Sequence, residues 1–134
     1  MKGVLVDSNV IIDIITEDPR WFTWSSSMLA EYAEKTILYI NTIIYAEISI
    51  SYKKIEDLEA AIPADLFKRA MLPWEAAFLA GKVFLRYRKN QGIKVQTLPD
   101  FFIGAHALIE GFSLLTRDIQ RFHHYFPEVK LIAP

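Results

Sequence analysis

Val4-Leu5-Val6-Asp7-Ser8-Asn9-Val10-Ile11-Ile12-Asp13 is the stretch that decides the fold. Three apolar residues in a row, ending in an acid, read as a short buried strand. Ser8 or Asn9 then suits the N-cap of a helix through Val10, Ile11 and Ile12. That helix is expected to stop near Glu17-Asp18-Pro19. A wholly apolar strand leading directly into a helix is the pattern of a sheet covered on both faces.

The same pattern recurs downstream. Trp21, Trp24, Met28, Leu29 and Tyr32 fall at helical spacing and predict the core face of a second helix. Thr36 to Ile40 has the β-branched and aromatic character of a second strand. Asn41 or Thr42 suits the cap of the helix that follows and carries Glu47. A further helix is expected over Ile55 to Ile62, ended by Pro63. Pro73 opens a long helix through Trp74, Phe78, Gly81 and Leu85, with Asn90-Gln91-Gly92 as its stop. Asp100 reads as the cap of a helix over Phe101 to Glu110, ended by Gly111. Phe112 to Leu115 predicts a third strand running into Thr116-Arg117-Asp118, and Val129 to Ile132 a last one. Strands alternating with helices imply an α/β fold, a central mostly parallel sheet between two helical layers. Sites in such folds lie outside the carboxyl ends of the strands.

Composition sets the bounds. The 134 residues suit one domain over 1–134 with a single core. Hydrophobic residues at 52% and charged residues at 23% describe a globular chain rather than a disordered one. With no cysteine there is no disulfide and no thiolate metal site; a reducing, cytoplasmic setting is expected. No signal peptide is legible, and no apolar run approaches a membrane span. The net charge of −1 gives little support to nucleic-acid binding. Setting Asp7, Glu47, Asp100 and Asp118 aside turns the balance positive.

Those four acids are the informative residues. Asp7 follows the first strand directly, and Asp118 follows the third after two residues. Asp100 opens a helix after a loop. Glu47 lies one to two turns into the helix after the second strand. These slots are expected to bring all four to one edge of a parallel sheet. Each also has a local explanation: a turn residue at Asp7, a solvated acid at Glu47, and caps at Asp100 and Asp118. Convergence has a physical cost, because two like charges ~4 Å apart repel by about 4 kcal/mol at an effective dielectric near 20. Four such groups need protons or a cation. Hard oxygen donors favour Mg²⁺ or Mn²⁺ over Zn²⁺, and the chemistry implied is metal-assisted phosphodiester hydrolysis.

Read with their neighbours, the acids resemble the ordered motifs of PIN-domain ribonucleases, particularly VapC-type toxins of toxin–antitoxin pairs. Val4 to Asp13 is similar to the family's first motif, Thr42-Ile43-Ile44-Tyr45-Ala46-Glu47 to the second, and Leu98-Pro99-Asp100 through Ala107 to the third. Leu114-Leu115-Thr116-Arg117-Asp118, with Phe122 following, is similar to the fourth. The resemblance spans essentially the whole chain and implies a PIN-like three-layer α/β/α sandwich. It makes Asp7, Glu47, Asp100 and Asp118 metal-binding catalytic acids, with Asn9 and Thr116 as supporting polar residues. It also implies an RNA substrate, a homodimer and a VapB-type antitoxin as partner. Phe101-Phe102 and His106 depart from the pattern and bear on the shape of the substrate groove.

Other residues carry weaker readings. Asp13 is expected as an exposed helix acid, with a supporting role at the site as the alternative. His123 and His124 point to different faces and suit solvent better than a shared ion. Lys82, Arg86, Arg88 and Lys89 form a basic helix end that the helix dipole explains. Arg117, between Thr116 and Asp118, is the better candidate for phosphate contact. The helices between Thr42 and Pro63 are amphipathic and offer a groove to an antitoxin helix, or else cover the core or a dimer interface. Two rivals remain. An aspartyl-phosphate phosphatase would use Asp7 as nucleophile, but Asn9 stands where its second Asp is expected. The other rival is a non-catalytic RNA- or protein-binding module on the same fold.

Overall fold

The computed structural model describes residues 2–90 and 96–134. Five parallel strands form one sheet in the order β3-β2-β1-β4-β5. They are β1 (Val4–Val6), β2 (Leu38–Ile40), β3 (Phe67–Arg69), β4 (Ser113–Leu115) and β5 (Leu131–Ile132). Helices fill the crossovers: α1 (Ser8–Ile15), α2 (Phe22–Lys35), α3 (Thr42–Ser49), α4 (Ile55–Ala61), α5 (Trp74–Asn90) and α6 (Leu98–Glu110). The α/β architecture with a parallel central sheet is the one the alternating pattern predicts. β1 is central and every one of its residues is buried, which explains its unbroken apolar run.

β3 was not among the expected strands. It lies at the sheet edge with Phe67 buried, and Lys68 and Arg69 exposed. Charged residues blunt such an edge against pairing with another chain, and they also erase the apolar signature of a strand.

Helix starts differ from expectation in two places that matter for the site. α1 is capped by Asp7 itself, not by Ser8 or Asn9; its Oδ1 accepts from the Ser8 N–H at 2.8 Å. α6 begins at Leu98 with Thr97 as N-cap, so Asp100 sits in the first turn rather than at the cap. Its Oδ2 reaches back toward the Thr97 N–H at 3.5 Å. Asn41 does cap α3, accepting from the Ile44 N–H at 2.9 Å. The expected stop of α5 at Asn90-Gln91-Gly92 lies partly outside the described residues.

The core is aliphatic around the sheet and aromatic between α5 and α6. Phe101 sits at its centre, 5.3 Å from Phe84, 5.4 Å from Tyr87 and 5.7 Å from Tyr125 between ring centroids. Gly104 lets α6 close onto Phe126, whose ring a Cβ there would meet at 2.4 Å. Trp24, Met28, Leu29 and Tyr32 of α2 pack against the core half-buried, and the fully buried residue of that helix is Ser25. In α5 the buried positions are Ala76, Ala80, Val83 and Tyr87, leaving Trp74, Phe78 and Leu85 exposed. No helix among the described residues is long and apolar enough to cross a membrane.

Candidate active site

Asp7 directly follows β1 and is fully buried. Its Oδ2 accepts from the Thr116 hydroxyl at 2.8 Å and from Nη1 of Arg121 at 3.1 Å. Thr116 follows β4, the neighbour of β1, so adjacent parallel strands deliver the two side chains to one edge. The Thr116 hydroxyl oxygen in turn accepts from the Asn9 amide at 3.4 Å and the Asp118 N–H at 3.1 Å. Asn9 Oδ1 accepts from the Arg117 N–H at 3.5 Å. Both supporting residues read from the sequence therefore brace the first acid and the turn carrying the fourth.

Glu47, from the middle of α3, turns to the same edge and accepts from the Ser8 hydroxyl at 2.7 Å. Asp100 is buried and meets Arg121 through Oδ1, which accepts from Nε at 3.1 Å and also from Nη2. Asp118 precedes a single turn of 3-10 helix, Ile119–Arg121, and makes no side-chain cap there. Its charge instead acts on Arg121. The structure thus joins Asp7 and Asp100 through Arg121, sets Glu47 beside Asp7 through Ser8, and leaves Asp118 at the margin.

Electrostatics follow from that crowding. Burial pushes the Asp7 carboxyl up; Arg121, Thr116 and Ser8 work against the rise, and Asp100 adds to it. Burial likewise pushes Glu47 up, with the Ser8 bond opposing and the charges of Asp7 and Asp100 adding. Burial also disfavours the charged guanidinium of Arg121, but Asp7 and Asp100 overcome it and hold it charged.

The PIN domain family matches residues 4–125. The chain belongs to that family. Solved structures with this fold include VapBC2 from Rickettsia felis bound to a promoter DNA fragment. It is 19% identical, with 98% of each chain covered and a TM-score of 0.71. VapBC-1 from nontypeable Haemophilus influenzae is 19% identical, covering 98% of this chain and 97% of that one, with a TM-score of 0.72. FitAcB from Neisseria gonorrhoeae is 20% identical, covering 96% of each chain, with a TM-score of 0.68. No curated protein matches the sequence. The family's VapC members are nucleases, hydrolases by class, and PIN nucleases generally use divalent metal.

The donor set of this PIN domain suits such an ion. It consists of carboxylates without thiols, and two of them are pushed up chiefly by burial, a cost that a bound cation would offset. As they stand, no three acid or histidine side chains among the described residues are grouped to hold a metal. Arg121 lies between Asp7 and Asp100, and Glu47 is turned to Ser8.

Sequence reasoning missed Arg121. Its only local hint is a position three residues after Asp118 in the segment that follows the fourth motif. Asp13, expected to be exposed, is buried. Its Oδ2 accepts from the Ser25 hydroxyl and from Nε of Arg117, both at 2.8 Å. The position faces α2, which the helix period of α1 alone does not reveal. Arg117, expected at a phosphate, thus rests on Asp13 with its guanidinium 5.5 Å from the Trp21 ring centroid. Phe101 and His106 do not shape a groove, since both are buried. His106 Nδ1 meets the Asn41 amide at 2.9 Å. His123 and His124 are exposed and turned to different partners, the Ile119 carbonyl and the Tyr125 ring. Lys82 and Arg86 lie over Phe78 and Tyr125.

Proposed function

We propose that this PIN domain, one domain over 1–134, is an Mg²⁺- or Mn²⁺-dependent endoribonuclease, the toxin of a VapBC-type pair. The observation that carries the reading is the convergence of Asp7, Glu47 and Asp100 on one edge of the sheet. Asn9 and Thr116 brace the first of them. Asp7, Glu47, Asp100 and Asp118 would hold the ion. When bound, it supplies a Lewis acid for the phosphodiester and an activated water. Thr116 and Ser8 fix the rotamer of Asp7. Thr116 also holds the turn that bears Asp118. Arg117, held by Asp13, would be the phosphate contact only with the guanidinium nitrogens that Asp13 leaves free.

The test is RNA cleavage with Mg²⁺ or Mn²⁺ by the purified chain, against Asp7→Ala and Asp100→Ala. Loss of at least a hundredfold in each variant is expected, as for groups that place a catalytic metal. Undiminished cleavage by both would sink the mechanism. One observation favours a second reading, a PIN-fold binding module without catalysis: the cation of Arg121 set between two of the acids. RNA binding without turnover under all metal conditions would select it.

The partners follow from surfaces. A cleft of about 270 Å³ opens between α3 and α4, lined by Tyr45, Tyr52, Ile55 and Leu58 with Lys53 and Lys54 at hand. It suits an amphipathic antitoxin helix with acidic flanks. Trp74 and Phe78, 88% and 69% exposed, give a homodimer its apolar contact. A cytoplasmic setting agrees with both.

A further inference from the structure

We infer that Arg121 is the resident counter-ion of the acidic site and that a divalent cation binds by displacing it from Asp7 and Asp100. The inference rests on the metal-dependent reading above and concerns what this chain's own residues do before the ion arrives. Arg121 is 22% exposed at its side chain, Asp7 is fully buried and Asp100 nearly so. One guanidinium uses Nη1 on Asp7, and Nε and Nη2 on Asp100. Two donors of the fork close on one oxygen of Asp100 while a third bridges to Asp7, a spread of donors that arginine has and lysine does not. The bridge spans 114 residues in one direction and 21 in the other, so it ties the first acidic segment to the third.

Two cations cannot both hold Asp7 Oδ2 and Asp100 Oδ1. Asp7 Oδ2 already accepts from Thr116 and Arg121, and its Oδ1 from Ser8. An ion that takes Asp7 Oδ2 and Asp100 Oδ1 must take them from the guanidinium. Arg121 is able to leave. It sits on a single 3-10 turn with no buried residue, and its ring contact is its own neighbour Phe122, 5.0 Å away. The exchange keeps charge near balance on both sides. Arginine alone neutralises one carboxylate, and a divalent ion neutralises two. With Glu47 and Asp118 nearby the acids remain in excess over Arg121, which leaves a divalent ion the stronger competitor. The built-in cation therefore lowers metal affinity without abolishing it and sets the concentration at which the site loads.

The experiment is calorimetric titration of Mn²⁺ into the full chain: unmodified, Arg121→Gln, Arg121→Lys and Arg69→Gln. Arg69 pairs with Glu59 away from the acids, so its variant removes the same charge without opening the site. Arg121→Gln is expected to bind Mn²⁺ about tenfold more tightly, the scale of one charge-assisted contact removed from competition. Arg69→Gln should stay within about twofold of the parent, and Arg121→Lys should fall between, since an ammonium cannot bridge both acids. A second measurement needs no variant protein to bind metal. The Arg121 Nε–H resonance should shift as Mg²⁺ is added, with the same midpoint as metal binding, while that of Arg117 stays. Equal or weaker Mn²⁺ affinity in a folded Arg121→Gln, or an Arg121 resonance unmoved at saturating Mg²⁺, overturns the inference and leaves the metal reading standing. Absence of Mn²⁺ binding by every form overturns both. Should Arg121→Gln fail to fold, Arg121→Lys and the resonance decide.

Discussion

Two arginines four residues apart in the same segment meet buried acids in different ways. Arg117 faces Asp13, one carboxylate already satisfied by Ser25, with Trp21 beside it. Arg121 faces Asp7 and Asp100, with Glu47 and Asp118 adding field. The first pair is balanced, one charge against one, and ties β4's end to α1 and α2. The second is unbalanced. A cation set among too many acids is held strongly yet does not complete the site, and that imbalance separates a structural ion pair from a place awaiting another ion.

The largest expected effect breaks the balanced pair. Arg117→Ala leaves the buried Asp13 carboxylate with Ser25 alone and should cost about 3 kcal/mol, roughly 10 °C in Tm for a chain of this size. Thermal melts should show the loss unchanged by Mn²⁺, whereas the metal-free loss in Arg121→Gln should be recovered by it. Recovery in both would erase the distinction between the two arginines.

Thr116→Val comes next. It strips Asp7 of its hydroxyl donor and removes the acceptor used by Asn9 and the Asp118 N–H. A loss of about 1–2 kcal/mol in denaturant unfolding is expected, with weaker Mn²⁺ binding as the second readout.

A pH series sharpens the same contrast at smaller scale. Asp7 and Glu47 are pushed up by burial, so the folded chain keeps their protons longer than the unfolded one. Stability of the metal-free protein should fall as pH rises from the ordinary carboxylate range through the raised folded values, then level off. Mg²⁺ should offset the fall increasingly with pH, because its ligands must be deprotonated. Asp7→Asn should flatten the slope; an unchanged slope would mean that Asp7 is not held up. The smallest effect on stability is expected of Trp74→Glu, within about 0.5 kcal/mol in the monomer. The same change should lower the mass seen by light scattering if α5 joins two copies.

How much of this was legible follows from the distances over which each residue finds its partners. β1 and α1 were legible because their pattern is local: an apolar run, an acid, a helix. The placement of Asp7, Glu47 and Asp100 at one edge was legible for the same reason, since strand ends and helix starts mark the carboxyl edge of a parallel sheet, whereas Asp118 lies at the margin of that group. β3 was not, because three residues with two exposed charges carry no strand period. Asp13 misled because burial of a polar residue within an apolar helix depends on what packs across from it, here Ser25 and Arg117. Arg121 was invisible because the residues that give it meaning lie far off in sequence and converge only in the fold.

The bond between Asn41 and His106 has a consequence for how the site tolerates change. Asn41 Oδ1 is committed to the Ile44 N–H, so its amide points a donor at His106 Nδ1, and the neutral ring must carry its proton on Nε2. Burial, which lowers the affinity of His106 for a second proton, agrees with that form. α6 therefore sets two acids at once, Asp100 in its own first turn and, through His106 and the start of α3, Glu47. Both carboxylates are thus tied to one helix. A substitution in the middle of α6, remote from any substrate, would put both out of true together.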